Sequence, residues 1–246
     1  NFLRAVSPYL LLSFTPHVLE YLVRRFEIHL YNVEAVLECI LPFHETSLFS
    51  KILPLLAFQA DQRWNFLKKA QQNRSPIARQ TVVDSAVRNV AIVDFFWSMA
   101  QRVVGSDVGS SNGKIRKHNG SEILVALSSS AAKSTLTFCT VILVETSRRL
   151  HSYGGEESTS YIRRTLPHLL HSIGFKRSYD YVTMGYMLAT QLCHSFAISV
   201  EIYQALSTAV AKSVLRQASH KSKKKSNGGG SGSQALMCDP TILNRA

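Results

Sequence analysis

Two histidines with helical spacing, His168 and His171, are the most plausible start of a metal site in this sequence. Residues three apart lie on one side of a helix, so both imidazoles could coordinate the same Zn²⁺ ion. Cys193 and His194 could complete the site, but adjacent residues point about 100° apart around a helix, which makes joint coordination difficult. The alternative is that these are histidines of the core or of an interface, and the sequence favours this alternative.

Motifs typical of enzymes are poorly represented. The segment 109–114 resembles a phosphate-binding loop, but it has three residues between its glycines instead of four. Ile115 stands where a magnesium-binding hydroxyl would be expected, and no predicted strand precedes the segment. The sequence has no H-E-x-x-H motif and no evident pair of carboxylates suited to acid–base catalysis. We therefore predict a protein that is not an enzyme and that needs no metal or cofactor.

A lysine-rich run, KSKKK at 221–225, is the clearest candidate for binding. It lies in a segment, 202–238, that contains no acidic residue. Such a run could neutralise RNA phosphates, act as a nuclear or nucleolar targeting signal, or form a solvated helix end that favours cations. The sequence leaves these three interpretations open. The candidate nucleic-acid-binding residues are Lys212, Arg216, Lys221, Lys223, Lys224 and Lys225.

The overall charge also favours a polyanionic partner. The 246 residues include 28 Lys and Arg against 16 Asp and Glu, which gives a formal net charge of +12. Such an excess argues for a polyanionic partner such as nucleic acid. A second, weaker basic set that could follow a nucleic-acid backbone comprises Arg24, Arg25, Arg63, Lys68, Lys69, Arg74 and Arg79.

Helical periodicity predicts the elements that must position these residues. Apolar residues recur every three or four positions through most of the chain, beginning with Leu19, Leu22, Val23 and Phe26. We expect Pro42 to end a helix, Pro54 to kink or split one, and one long helix to run from about Ile77 to Val104. A last stripe comprises Val200, Tyr203, Ser207, Val210, Ala211 and Val214.

These helices predict an all-α fold. No segment combines the alternation of a strand with a hairpin turn. Many helices of ordinary length joined by short connections favour an α-solenoid of antiparallel helix pairs, similar to HEAT or armadillo repeats. We expect a helical domain at 1–217, a flexible loop near 105–121 that is rich in Gly and Ser, and a flexible, basic and Gly/Ser-rich tail at 218–246.

Other features indicate the cellular setting. No run reaches the roughly 18 apolar residues of a membrane span, so we expect no membrane association. Four scattered cysteines without a CxxC motif indicate a reducing compartment. The first residue is Asn1, which suggests a partial chain whose true N-terminal signals are not visible.

Two segments resemble a known family. SPYLLL (7–12) and EYLVRRFEIHLYNVEAVLECILPFHET (20–46) are similar to the SPYFLL, RRF-IH-YN and LPYHET segments found in the same order near the N-terminus of one family of large helical-repeat proteins. This is the family of HEAT repeat-containing protein 1, also called U3 small nucleolar RNA-associated protein 10. Weaker similarities are carried by Trp64, Phe66, Leu67, Pro76, Asp94, Phe95, Leu166, Pro167, Tyr181, Tyr186 and Met187.

The resemblance implies a non-enzymatic nucleolar scaffold of the small-subunit processome that supports ribosomal RNA transcription and pre-18S rRNA processing. The implied partners are the 5′ external spacer of pre-ribosomal RNA, the U3 small nucleolar ribonucleoprotein and other processome subunits, without a small-molecule substrate. Two alternatives remain open. One is a general α-solenoid adaptor for trafficking or nuclear transport that binds proteins but no RNA. The other is a small helical enzyme with an unrecognised site.

Overall fold

The computed structural model describes residues 3, 9–10, 12, 14–58, 61–106, 120–153 and 155–226. Within these ranges the chain is helical and contains no β-strand, which confirms the predicted all-α class. The α-helices are α1 (Thr15–Phe26), α2 (Ile28–Tyr31), α3 (Val33–Ile40), α4 (Ser47–Ile52), α5 (Asn65–Asn73), α6 (Arg79–Arg88), α7 (Val90–Ser106), α8 (Gly120–Tyr153), α9 (Glu156–Gly174), α10 (Tyr179–Ser195) and α11 (Val200–Ser226).

Two prolines divide the N-terminal helices as expected. α3 ends at Ile40 and continues as a 3₁₀ turn, Leu41–Phe43, that contains Pro42. α4 ends at Ile52 and is followed by a second 3₁₀ turn, Leu53–Leu55, around Pro54. Proline has no backbone N–H and its ring clashes with the preceding turn of an α-helix, so both helices stop there.

The single long helix expected from Ile77 to Val104 is wrong, because Asn89 divides it into α6 and α7. Asn89 has an extended backbone, with φ −136° and ψ 97°. Its side-chain Oδ1 accepts a 3.1 Å hydrogen bond from the backbone N–H of Ala91. This bond satisfies one of the free N–H donors at the start of α7. Asparagine side chains compete in this way with a continuous helix, and apolar periodicity alone does not detect that competition.

From α6 onwards the helices form two layers. One layer is the succession α7, α9 and α11, and the other is the succession α6, α8 and α10. The pairs α7/α8 and α9/α10 pack against each other across the layers. Such stacking of helix pairs, each against its neighbours, confirms the predicted α-solenoid.

Ion pairs connect helices that are neighbours within a layer. Asp84 of α6 pairs with Arg149 of α8, and Asp94 of α7 pairs with Arg164 of α9. Their side chains are between 38% and 48% exposed, so each pair contributes only about 0–1 kcal/mol to stability. Burial of apolar side chains such as Trp97 and Leu143, which are fully buried, supplies most of the stabilisation.

The last helix extends through the boundary expected between 217 and 218. α11 continues to Ser226, so the KSKKK run belongs by its backbone to the final turns of a helix. Residues 227–246 of the expected tail and residues 107–119 of the expected loop lie outside the described residues, while α7 and α8 include the two ends of that loop segment. None of the helices in the described ranges is both long enough and apolar enough to cross a lipid bilayer.

Candidate nucleic-acid interface

Arg216 connects the predicted basic segment to the body of the protein. Its Nη1 donates a 3.0 Å hydrogen bond to the carbonyl oxygen of Gly174, and its Nε donates a 3.0 Å bond to the carbonyl oxygen of Lys212. Gly174 is the last residue of α9. The guanidinium therefore lies at a helix C-terminus, where carbonyls lack partners within the helix and the helix dipole favours a cation.

The other predicted residues follow Arg216 along α11. Lys212 lies one turn before it and is exposed. Lys221, Lys223, Lys224 and Lys225 lie in the last turns of the helix, and their side chains are outside the described residues. Nucleic-acid binding by these residues therefore stays a prediction.

Two exposed cations outside the predicted set lie beside the same helix end. Lys176 and Arg177 follow Gly174 in the connection between α9 and α10. Because Arg216 contacts Gly174, the structure brings this connection together with α11. We call Lys176, Arg177, Lys212 and Arg216 the basic corner. In the sequence, this Lys-Arg pair could have been noticed because it comes directly after a phenylalanine and a glycine that ends a helix. Only the packing of α11 shows that the pair adjoins the predicted segment.

The basic corner is weakly neutralised. Among the described residues, no carboxylate forms an ion pair with Lys176, Arg177 or Lys212. Free cations on an exposed helix and an adjoining connection can contact phosphate oxygens without reading bases. This arrangement would position an RNA backbone but would not specify its sequence.

The second basic set is less available for binding RNA phosphates than its composition suggests. Arg24 pairs with Glu20 at 2.6 Å, and Arg79 lies 3.4 Å from Glu145. Arg63 pairs with both Glu34 and Asp61 at 2.6 Å. Hydrogen bonding from Arg63 lowers the pKa of Asp61, so this contact favours the charged carboxylate. These arginines are already paired with carboxylates, while Arg25, Lys68, Lys69 and Arg74 form no ion pair in the part of the chain that the structure describes.

The candidate metal ligands do not converge on one point, because the two histidines of α9 contact other side chains. The His168 ring stacks on Trp97 with centroids 5.5 Å apart, and its Nδ1 lies 2.9 Å from the side-chain nitrogen of Gln101. His171 packs against Tyr181, whereas Cys193 and His194 are exposed on α10. Within the described ranges, no group of three or more His, Cys, Asp or Glu side chains converges on a possible metal site. The contacts of His168 fit the alternative that it is a histidine of the core or of an interface.

A shallow groove of about 460 Å³ runs along α8 beside His44 and contains both signs of charge. It is lined by Arg79, Lys133 and Glu45. Burial lowers the pKa of His44, while nearby Glu45 partly opposes this shift. His44 is 6% exposed, and its Nε2 is 3.8 Å from a Glu45 oxygen. This distance is too long for a hydrogen bond, so the two side chains do not form an oriented acid–base pair.

Comparisons with known proteins agree with the resemblance stated above. HEAT repeat-containing protein 1 of Danio rerio is 28% identical over 217 residues, which are 87% of this chain and 9% of that protein. The human protein of the same name is 36% identical over 104 residues, 42% of this chain and 5% of its own length. U3 small nucleolar RNA-associated protein 10 of Aspergillus oryzae is 26% identical over 221 residues, 87% of this chain and 11% of its own.

These relatives confirm the resemblance over much of the chain. The chain is homologous to proteins that carry both names, and it spans between 5% and 11% of the length of the three relatives described. The name of the Aspergillus oryzae protein states an association with U3 small nucleolar RNA. No protein-family model matches the chain.

Proposed function

We propose that this chain acts in ribosome biogenesis as part of a scaffold of the small-subunit processome, without catalytic activity of its own. The observation that carries the proposal is its homology, over 87% of its length, to HEAT repeat-containing protein 1 and to U3 small nucleolar RNA-associated protein 10. The two-layered helix stack supports it, because such stacks offer long surfaces for assembly.

In this proposal the protein supports ribosomal RNA transcription and pre-18S rRNA processing in the nucleolus. Its RNA partner is the 5′ external spacer of pre-ribosomal RNA, and its protein partners are the U3 small nucleolar ribonucleoprotein and other processome subunits. The names of two relatives support only the association with U3 small nucleolar RNA.

The basic corner and the KSKKK run supply the physical contact with RNA. Each lysine or arginine that meets a phosphate releases condensed counterions, which drives binding and makes the affinity depend on salt. Because these contacts reach the backbone and not base edges, sequence preference must come from the RNA fold or from other subunits.

A general protein adaptor without RNA binding is the second candidate. The observation that favours it is the set of exposed apolar side chains on α11, including Tyr203 and Leu215, which suit a protein partner better than a phosphate backbone.

Binding of 5′ external spacer RNA to the purified chain distinguishes the two candidates. We expect saturable binding whose affinity falls steeply between about 50 and 200 mM salt, as is typical when several phosphates are neutralised. Replacing Lys176 and Arg177 with alanine should weaken binding, whereas replacing Lys51, an exposed cation on α4, should not. The adaptor candidate instead predicts no salt-dependent RNA binding.

A further inference from the structure

The last helix is apolar on two sides, and only one of them is covered. On the covered side, Leu206 and Ser213 are each 3% exposed, and Ile202, Ala209 and Val210 are partly buried where α11 packs on α9 and α10. Most of the apolar stripe noted in the sequence lies elsewhere. Tyr203 is 58% exposed and Val214 is 52% exposed.

We call the uncovered side the outer face of α11. It consists of Val200, Tyr203, Ala211, Val214, Leu215 and Ala218, all of which are exposed. With the exposed, polar Ser207 between Tyr203 and Ala211, steps of three and four residues connect these positions, so they lie on one face along about five helical turns. A helix that is apolar on opposite sides is normally covered on both, as are the inner helices of a stack.

The sequence that follows the outer face carries positively charged residue types. The same spacing leads from Ala218 to the backbone positions of Lys221 and Lys225, in the final turns of α11. From residue 202 to residue 238 the sequence contains no acidic residue. A partner that covers the outer face and extends along α11 would therefore be favoured by acidic side chains at one end.

We propose that the outer face binds an amphipathic helix of a partner protein, with apolar residues at spacings of three and four and with acidic residues at the end that meets 221–225. The apolar side chains would cover Tyr203, Val214 and Leu215, as a helix does when it binds in a hydrophobic groove. The acidic end would complement the lysines and set the direction of the bound helix, so this partner and RNA would compete for the lysine run.

Charge favours this occupant over others. A second copy of the chain would bring together two molecules with a net charge of +12 each, which repel. RNA would meet no cation among the residues of the outer face. The chain's own residues 234–246 contain Asp239 and Arg245, which cancel, and Pro240, which interrupts a helix.

The test uses the full chain and a labelled synthetic probe. The probe is a 21-residue helical peptide with Leu at spacings of three and four, Glu in its last two turns and Gln elsewhere, and a control peptide carries Lys in place of Glu. We expect saturable binding of the Glu peptide by fluorescence anisotropy, at least tenfold tighter than binding of the Lys peptide.

Two variants of α11 locate the binding surface. V214E should weaken binding of the Glu peptide at least tenfold. A205E adds the same charge at an exposed position on the opposite side of the helix, nine residues away, and should change binding by less than twofold. Circular dichroism of both variants checks that α11 remains folded.

Several results would overturn the proposal. These are the absence of binding, equal binding of the two peptides, or equal effects of V214E and A205E. Tighter binding after removal of residues 227–246 would assign the outer face to the chain's own C-terminal segment. A dimer in solution that V214E dissociates would assign it to a second copy, and loss of RNA binding in V214E but not in A205E would assign it to RNA.

Discussion

Arg216 donates a hydrogen bond to the carbonyl oxygen of Gly174, 42 residues earlier in the chain, at a distance of 3.0 Å. This bond joins the end of α9 to α11 and brings the connection that carries Lys176 and Arg177 beside the predicted basic segment. The residue selected for RNA binding thus also stabilises the surface on which binding is proposed.

We predict that R216A lowers the free energy of unfolding by about 1–2 kcal/mol, because the partly buried C-terminus of α9 loses a charge-assisted hydrogen bond. K212A removes the same charge from an exposed position and should change stability by less than about 0.5 kcal/mol. Urea unfolding of both variants measures the difference. Equal stabilities would mean that the bond to Gly174 contributes nothing.

The lysine run at 221–225 should raise RNA affinity through contacts with phosphates. Replacing Lys221, Lys223, Lys224 and Lys225 with alanine should lower affinity about equally for RNAs of different sequence. It should also reduce the slope of log affinity against log salt by about 0.7 for each phosphate of a single strand that the variant no longer neutralises. Filter binding at several salt concentrations measures the slope. A slope identical to that of the unmodified chain would exclude these lysines from the interface.

Gly185 is expected to be intolerant of any side chain. A Cβ there would overlap the hydroxyl of Ser172 and lie 3.1 Å from the backbone nitrogen of Ile173, where α10 crosses α9. G185A should therefore destabilise the protein by about 1–3 kcal/mol through overpacking.

The matched control is G105A, in a helix with nothing within 4 Å of the added carbon. Alanine has a higher helix propensity than glycine, so this variant should be neutral or more stable by up to about 1 kcal/mol. Thermal unfolding compares the two variants. Similar midpoints would show that α9 and α10 do not approach closely at Gly185.

Acid should destabilise the fold through two histidines. Burial lowers the pKa of both His44 and His168 below 6.5, so the unfolded chain takes up protons that the folded chain resists. The free energy of unfolding is therefore highest above about pH 6.5, and it decreases as the pH drops from there through the lower pKa values of the folded state. Urea unfolding of the unmodified chain and of H44L between about pH 5 and 8 measures this loss. H44L should lose less stability over this range, and parallel curves would contradict the assignment for His44.

The sequence predicts the helices well because apolar spacing and proline act locally. The stops at Pro42 and Pro54 are examples. Apolar spacing does not predict the break at Asn89, because there a side-chain bond from Ala91 N–H to Asn89 outweighs a continuous apolar pattern. The long-range contacts could not be predicted either. Spacing along α11 does not reveal that Arg216 reaches Gly174, or that Tyr203 faces away from α9.

The most direct test of the proposed function is ultraviolet crosslinking in cells, followed by sequencing of the RNA bound to this chain. The processome proposal predicts enrichment of the 5′ external spacer of pre-ribosomal RNA, and reduced crosslinking when Lys176, Arg177 and the four lysines of 221–225 are replaced with alanine. Recovery of protein partners with no enrichment of that spacer would contradict the proposal and favour the adaptor.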